Sequence, residues 1–311
     1  MLGALLLTDM AAAAGPRAFI TNQGDNSVSV IDLESARITA TIQVGSRPAG
    51  IAVSGDERRI YVTNPESREV YLLDGIGLKM ITRRAVGKGP LGIALKGDGS
   101  RVYVADWYED LVYVLDPVDL SIIARIPVGN SPSGLEVSPD GNWLYVADRD
   151  DDRISVVDTG QNRVVARIDV GKRPFGIRAG RDGKRLYVAN VGSNDLSVID
   201  LEKREVIATI PVGSTPYGVA VTPDNRRAFV TNQHDNSLSV IDTATLVEIR
   251  RMEIGEFPEG VVASPVGGRV YIANWFDNEL VVVDSESLEI LEHIPTGESP
   301  RAFGIFIARG S

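Results

Sequence analysis

A unit of 42 residues runs through this chain seven times in unbroken step, and few folds accept such a period. A glycine recurs at Gly45, Gly87, Gly129, Gly171, Gly213, Gly255 and Gly297, and a proline follows each one three residues later, from Pro48 to Pro300. An aromatic residue three positions before an Asn or Asp keeps the same register, from Phe19 and Asn22 to Tyr271 and Asn274. A further aspartate closes the next apolar run in all seven units, from Asp32 to Asp284. Four markers held in step without an insertion or deletion mean one structural unit repeated, not two unrelated domains sharing 311 residues.

Each unit reads as four short strands. In the fourth these are 134–138, 143–147, 153–157 and 163–170, rich in Val, Ile, Leu and Tyr. Pro139-Asp140-Gly141 lies between the first two as a turn signal. Four-stranded units of this length match the blades of an all-β, seven-bladed β-propeller, whose antiparallel sheets stack face to face around a central channel. The ends support a closed ring. The first unit starts at its second strand, near Arg17, and the chain finishes on a spare apolar run at 302–307. That run is expected to join the N-terminal blade beside 17–21 and so remove an exposed sheet edge.

The phrase around Asp182-Gly183-Lys184-Arg185-Leu186-Tyr187-Val188-Ala189-Asn190, and the words Tyr61-Val62-Thr63-Asn64, resemble the YVTN β-propeller repeat family over about residues 16 to 308. The resemblance implies the seven-bladed fold, and an exported, periplasmic or cell-surface protein that works as a binding or interaction module. The cytoplasm stays open as an alternative. More distant seven-bladed relatives include haem-binding propellers of nitrite reductases, amine dehydrogenase subunits and lactone-processing enzymes, but no motif here carries their chemistry residue by residue.

Composition narrows the partners. With 42 acidic against 32 basic residues the chain carries a formal charge of −10, so nucleic acid and anionic membrane surfaces, which are bound through Lys and Arg, are not expected partners. The absence of cysteine removes disulfides, thiolate metal sites and cysteine nucleophiles. Only two histidines occur, too few for a His-rich metal site, and neither a metal nor a cofactor is expected. Residues 1–14 fall outside the repeat and read as a tail or a signal-peptide remnant; residues 15–311 form the propeller domain. No apolar stretch is long enough to span a bilayer, and a monomer is expected.

Residues shared by all seven units belong to the scaffold, so a unique site must come from those that break the repeat. The Asn22 and Asp32 series are expected to hold turn backbone, and the arginines that start most second strands to face solvent. The loops that precede each proline vary sharply and share one face with the loops between second and third strands. Seven aromatics fall on that face: Trp107, Tyr108, Phe175, Tyr217, Phe257, Trp275 and Phe276. With Arg47, Arg173, Glu259 and Arg301 they make the expected ligand-binding mouth. Inside the channel, Glu136 and Arg178 replace small or aliphatic residues on neighbouring blades, as an ion pair or as a hold for a polar ligand.

Two function classes follow. The first is a non-enzymatic module that binds a small polar ligand, a peptide or a partner protein at the mouth. The second is an enzyme with ring-opening or ring-forming chemistry on a lactone-like substrate, or an auxiliary subunit of a redox enzyme. In the enzymatic reading the catalytic candidates are His234, Glu136 and Arg178 converging on one pocket. If the C-terminal run seals the ring, deleting residues from Pro300 onward must collapse the melting temperature, and an unchanged melting curve contradicts closure.

Overall fold

Alternating apolar residues and regularly spaced turns build twenty-eight strands and a single short 3-10 turn at Arg149–Asp151 in the computed structural model, which describes residues 15–308. The segment 1–14, with the tail or signal remnant expected there, lies outside the described residues. The strands form a seven-bladed propeller of antiparallel sheets. In the fourth blade they are Pro132–Val137, Trp143–Asp148, Arg153–Asp158 and Arg163–Asp169, the inner strand starting two residues earlier than its sequence pattern indicates. Second and third strands are buried on both faces, and the repeated ring of each blade, such as Tyr61, Tyr103, Tyr187 or Phe229, is sealed between neighbouring sheets. Fourth strands form the exposed outer rim, alternating half-buried and exposed residues.

The repeated polar residues divide by role. Every member of the Asp32 series accepts backbone N–H groups from two and three residues downstream through one carboxylate oxygen, so all seven cap the hairpin that follows. The Asn22 series behaves otherwise. Asn22, Asn190 and Asn232 donate across the sheet to the serines of the third strand, and within this series Asp106 makes the expected turn by accepting from the N–H groups of Tyr108 and Glu109. Four of the strand-leading arginines are not left to solvent: Arg17 donates to the Gly75 carbonyl at 2.8 Å and Arg59 to that of Pro117, while Arg185 and Arg227 bond the carbonyls of Thr243 and Ser285, and Arg269 is exposed as expected. Each of the four reaches 58 residues along the chain to the hairpin of the next blade, tying the ring together on the face opposite the mouth.

Closure occurs through the chain ends, with a departure from the repeat. The first blade has three strands of its own, Arg17–Asn22, Ser27–Asp32 and Arg37–Gln43, and the C-terminal run supplies its inner edge through bridges Asn22–Pro300 and Ala18–Ile307. In other blades the equivalent pairs are Pro132–Asp148 with Val137–Leu144, and Pro174–Asn190 with Ala179–Leu186. Five steps therefore separate the two positions on an ordinary inner strand, against seven from Pro300 to Ile307. The closing strand carries two extra residues. They bulge inward, and Phe303–Ile305 pairs in parallel with Gly50–Val53 of the second blade.

The cause lies at the second residue after each proline, where six inner strands have glycine. A Cβ at Gly92 would meet the Ser133 carbonyl oxygen at 1.9 Å, and one at Gly176 that of Tyr217 at 2.1 Å. Only glycine permits this approach. The closing strand has Ala302 in that place, where the chain leaves the strand path with φ +48 and rejoins it through Gly304 at φ +131.

One blade exposes a replaceable weakness. Asp148 stands where five other blades have Asn, is fully buried, and burial pushes its carboxyl up to about 6 despite the hydrogen bond from Ser155. A raised folded value means stability is lost as pH climbs from the ordinary 3.8 through about 6. Asp148→Asn restores the donor used in the other blades and is expected to stabilise the ring at pH ~8 by on the order of 2 kcal/mol, with no gain near pH ~4, in denaturant titrations.

Candidate functional site

The mouth face is built from paired loops. The residue before each proline takes left-handed backbone angles at Arg47, Arg173 and Phe257, with φ of 50, 55 and 56. The N–H of each is held by the side chain of Asn26, Asp152 or Asn236 from the preceding blade. These clamps aim the three side chains outward, whereas the residue after each proline points to the ring axis.

That inward ring is Ala49, Leu91, Ser133, Phe175, Tyr217, Glu259 and Arg301, and it closes the mouth. Phe303 projects into it from the bulge. Phe175 and Tyr217 stack with centroids 4.4 Å apart, and Phe303 lies 5.0 Å and 5.6 Å from them. Ala49 and Leu91 complete a buried apolar plug, with Trp107 half-buried at its margin beneath the Arg149 guanidinium. The polar half is a network. Arg301 donates to the Tyr217 hydroxyl at 2.9 and 2.6 Å and approaches Glu259 to 3.2 Å, while Gln233 donates to the other Glu259 oxygen at 3.1 Å. Glu259 is only 5% exposed, and burial pushes its carboxyl up to about 7 against the pull of Arg301.

Outside the plug, on the sixth and seventh blades, lies a second aromatic group, half-buried at Phe257 and Trp275 and exposed at Phe276. Phe257, Trp275 and Phe276 lie within 5.0–5.5 Å of one another, and His234 flanks Phe257 at 5.9 Å. Phe276 is 60% exposed, and the Trp275 indole N–H is buried with no acceptor among the described residues. Exposed Glu256 and Asp277 flank the group, and Trp275 lines a groove with Arg47, Glu66 and Ser299. Tyr108, 70% exposed, covers Gly89 on the third blade, and Arg47 pairs with Glu66 at 3.1 Å in solvent. Arg173 is exposed on the fifth blade.

The channel behind the plug reaches Phe303 and holds a cavity of about 180 Å³ and a second of about 270 Å³ that shares Glu136, Pro139, Arg178 and Ile305 with it. It opens on the opposite face, between Gly55, the Lys96-Gly97 turn and Ser138-Pro139. Glu136 and Arg178 line it, 3.1 Å apart and both buried. His234 is not among its lining residues; it sits on the mouth face bonded to Thr215 at 2.9 Å. The catalytic candidates therefore do not converge. Among the described residues, no group of three or more His, Asp or Glu side chains is placed to hold a metal ion, and no helix is long and apolar enough to cross a membrane.

Phe303 is the residue that sequence reasoning missed. Its signal was present: Pro-x-Gly in six units becomes Pro300-Arg301-Ala302-Phe303-Gly304 in the last.

Comparison with known proteins places the chain among seven-bladed propellers. Residues 175–309 match the Cytochrome D1 heme domain family, and residues 77–164 match the family described as Lactonase, 7-bladed beta-propeller. Each match covers less than half of the chain. No curated protein sequence matches. Among solved structures, hydrazine synthase from Kuenenia stuttgartiensis superposes with a TM-score of 0.81 at 23% identity, covering 92% of this chain and 100% of that one. A functionally unknown protein from Desulfotomaculum acetoxidans gives 0.81 at 16%, covering 95% and 99%. Dihydro-heme d1 dehydrogenase NirN in complex with DHE gives 0.71 at 20%, covering 91% and 74%. These likenesses show the fold alone.

The residues present do not fit a haem in the channel. The mouth is filled by Phe175, Tyr217 and Phe303, and neither channel cavity is lined by a histidine.

A folded carboxyl raised above the ordinary 4.5 contributes stability that is greatest in acid and is lost as pH rises through about 7. Unfolding free energy is thus expected to fall between pH ~5 and ~8, and Glu259→Gln to flatten the upper part of that slope in an Asp148→Asn background. An unchanged slope contradicts the assignment.

Proposed function

We propose that this protein is a non-enzymatic interaction propeller that docks a partner protein or peptide on the mouth face of its sixth and seventh blades. The observation that carries the reading is the Phe257, Trp275 and Phe276 group, with Phe276 60% exposed, flanked by exposed Glu256 and Asp277. Large rings are costly to leave in water and serve as anchors at interfaces. The two flanking carboxylates select a partner surface that carries Lys or Arg around an apolar tip. The plug behind it supports a surface reading, because a substrate has no path into the channel from this side. Glu259, Tyr217 and Arg301, first assigned to ligand contact, serve here to brace the plug, and Trp107 borders it.

The remaining features are consistent with this role. We place residues 15–311 in one propeller domain, with 1–14 as a leader or tail, acting as a monomer in the periplasm or at the cell surface. A second reading, an auxiliary subunit of a redox enzyme, draws on the partial match to the Cytochrome D1 heme domain family at residues 175–309 and uses the same face.

Panning a random peptide library against the full chain is expected to enrich sequences with basic residues beside an aromatic or aliphatic one. Their affinity is expected to drop at least roughly tenfold in Trp275→Ala/Phe276→Ala, with an unchanged melting temperature, and to stay the same in Trp107→Ala. Peptides that bind the double variant as well as the wild type overturn the proposed surface.

A further inference from the structure

The repeat supplies its own control for the clefts between blades. On the face opposite the mouth an arginine starts six of the seven second strands, and Trp143 takes that place on the fourth blade. Where the second and third blades meet, the Pro117 carbonyl receives Arg59 and, at 2.9 Å, the hydroxyl of Tyr61. Where the sixth and seventh meet, Arg227 bonds the Ser285 carbonyl and pairs with the Glu286 carboxylate at 3.3 Å. The fullest form of the joint therefore has a guanidinium from one blade and a carbonyl with a glutamate from the next.

Between the fourth and fifth blades the receiving half of this joint is present without its arginine. Leu201 and Glu202 stand where Ser285 and Glu286 stand two blades on, and Tyr145 stands where Tyr61 does. Among the described residues, the Leu201 carbonyl accepts no hydrogen bond and the Glu202 carboxylate pairs with no cation. Tyr145 is only 4% exposed, yet its hydroxyl also has no partner there. A cleft of about 530 Å³ separates the two blades, with Trp143 and Tyr145 on one wall and Asp182, Lys184, Asp200 and Glu202 on the other. Arg185 borders it but is turned to the Thr243 carbonyl at the next joint. Arg204, where four blades have leucine, lies 4.9 Å over the Trp143 ring. It is exposed, and its side chain makes no hydrogen bond or ion pair among the described residues. The ring thus accepts a guanidinium, while Leu201 and Glu202 stay unserved.

We infer that the cleft between the fourth and fifth blades binds a guanidinium group from outside the chain, carried by free arginine or by an arginine of a peptide. The group donates to the Leu201 carbonyl and the Glu202 carboxylate, and its plane stacks on Trp143 in place of Arg204. Five N–H donors in a flat fork suit this set of acceptors, which the Tyr145 hydroxyl completes. The carboxylates of Asp182 and Asp200 add attraction for positive charge. An ammonium group has the charge but no plane to lay on the ring. The volume lies within the roughly 300–1,000 Å³ of small-molecule pockets, so a whole arginine has room. This site is on the face opposite the interaction surface proposed above and does not rest on it.

Isothermal titration of the full chain tests this with two guanidinium probes, L-arginine and acetyl-Gly-Arg-Gly-amide, against L-citrulline, the uncharged molecule of the same shape, and L-lysine. At least one guanidinium probe is expected to bind one to one, and citrulline and lysine at least about tenfold more weakly. Which of the two guanidinium probes binds tighter identifies the source, a free small molecule or a chain arginine. Trp143→Arg installs the residue that six blades already carry, so the fold accepts it. It is expected to fill the cleft and abolish binding with the melting temperature kept or raised. Arg204→Leu, the residue of four other blades, frees the Trp143 ring and is expected to tighten binding several-fold. No binding of either guanidinium probe at millimolar concentration, citrulline or lysine bound as tightly as arginine, or unchanged affinity in either variant overturns the assignment.

Discussion

The close approach of the inner strands governs this molecule. Seven sheets that are apolar on both faces must pack edge-in around one axis, and the distance at which they meet leaves no room for a Cβ two residues past each proline. Hydroxyls fasten the meeting points: Thr63 and Thr231 donate to the carbonyls of Leu91 and Glu259 on the adjacent inner strand at 2.7 and 2.8 Å. Arginine ties at the start of four second strands fix the same spacing from the other face. A ring held this tightly at both ends allows variation only in what its loops display and in what its axis contains.

Both allowances are used. On the axis, the substitution of Ala302 for glycine forces the closing strand inward and turns an open channel into a plugged one. The plug then sets the electrostatics of the mouth, since Glu259 and Arg301 are buried by the rings that surround them. On the surface, backbone clamps from one blade to the next present Phe257 beside Trp275 and Phe276, and so convert loop residues of two hairpins into one apolar face. The face opposite the mouth retains the cavity. A single departure from the repeat thus separates two surfaces that an ordinary propeller channel would join.

The residues that vary among blades carry different kinds of information. Glu136 and Arg178 were legible as partners because both replace small residues at one repeat position on neighbouring blades, and neighbouring blades must touch. Trp275 and Phe276 were legible as mouth residues because they fall between a second and a third strand. His234 was not separable from them, because a loop histidine reads alike whether it faces the channel or the solvent. Phe175 and Tyr217 read as ligand-facing aromatics, yet they stack on each other, a partnership between blades that only the ring curvature creates.

Sequence alone determined the seven blades, their four strands, the turn caps of the Asp32 series and the joining of the two chain ends, because each of these rests on periodicity and on local backbone chemistry. The tertiary structure decided whether the mouth is open, where the strand-leading arginines reach, and that the closing strand pairs with two blades at once. Those outcomes depend on distances between residues of different blades, 42 positions apart for Phe175 and Tyr217 and 58 for Arg17 and Gly75, set by how closely seven twisted sheets meet on an axis. The Pro300-to-Gly304 spacing announced a departure from the repeat, but only packing made Phe303 the stopper of the channel.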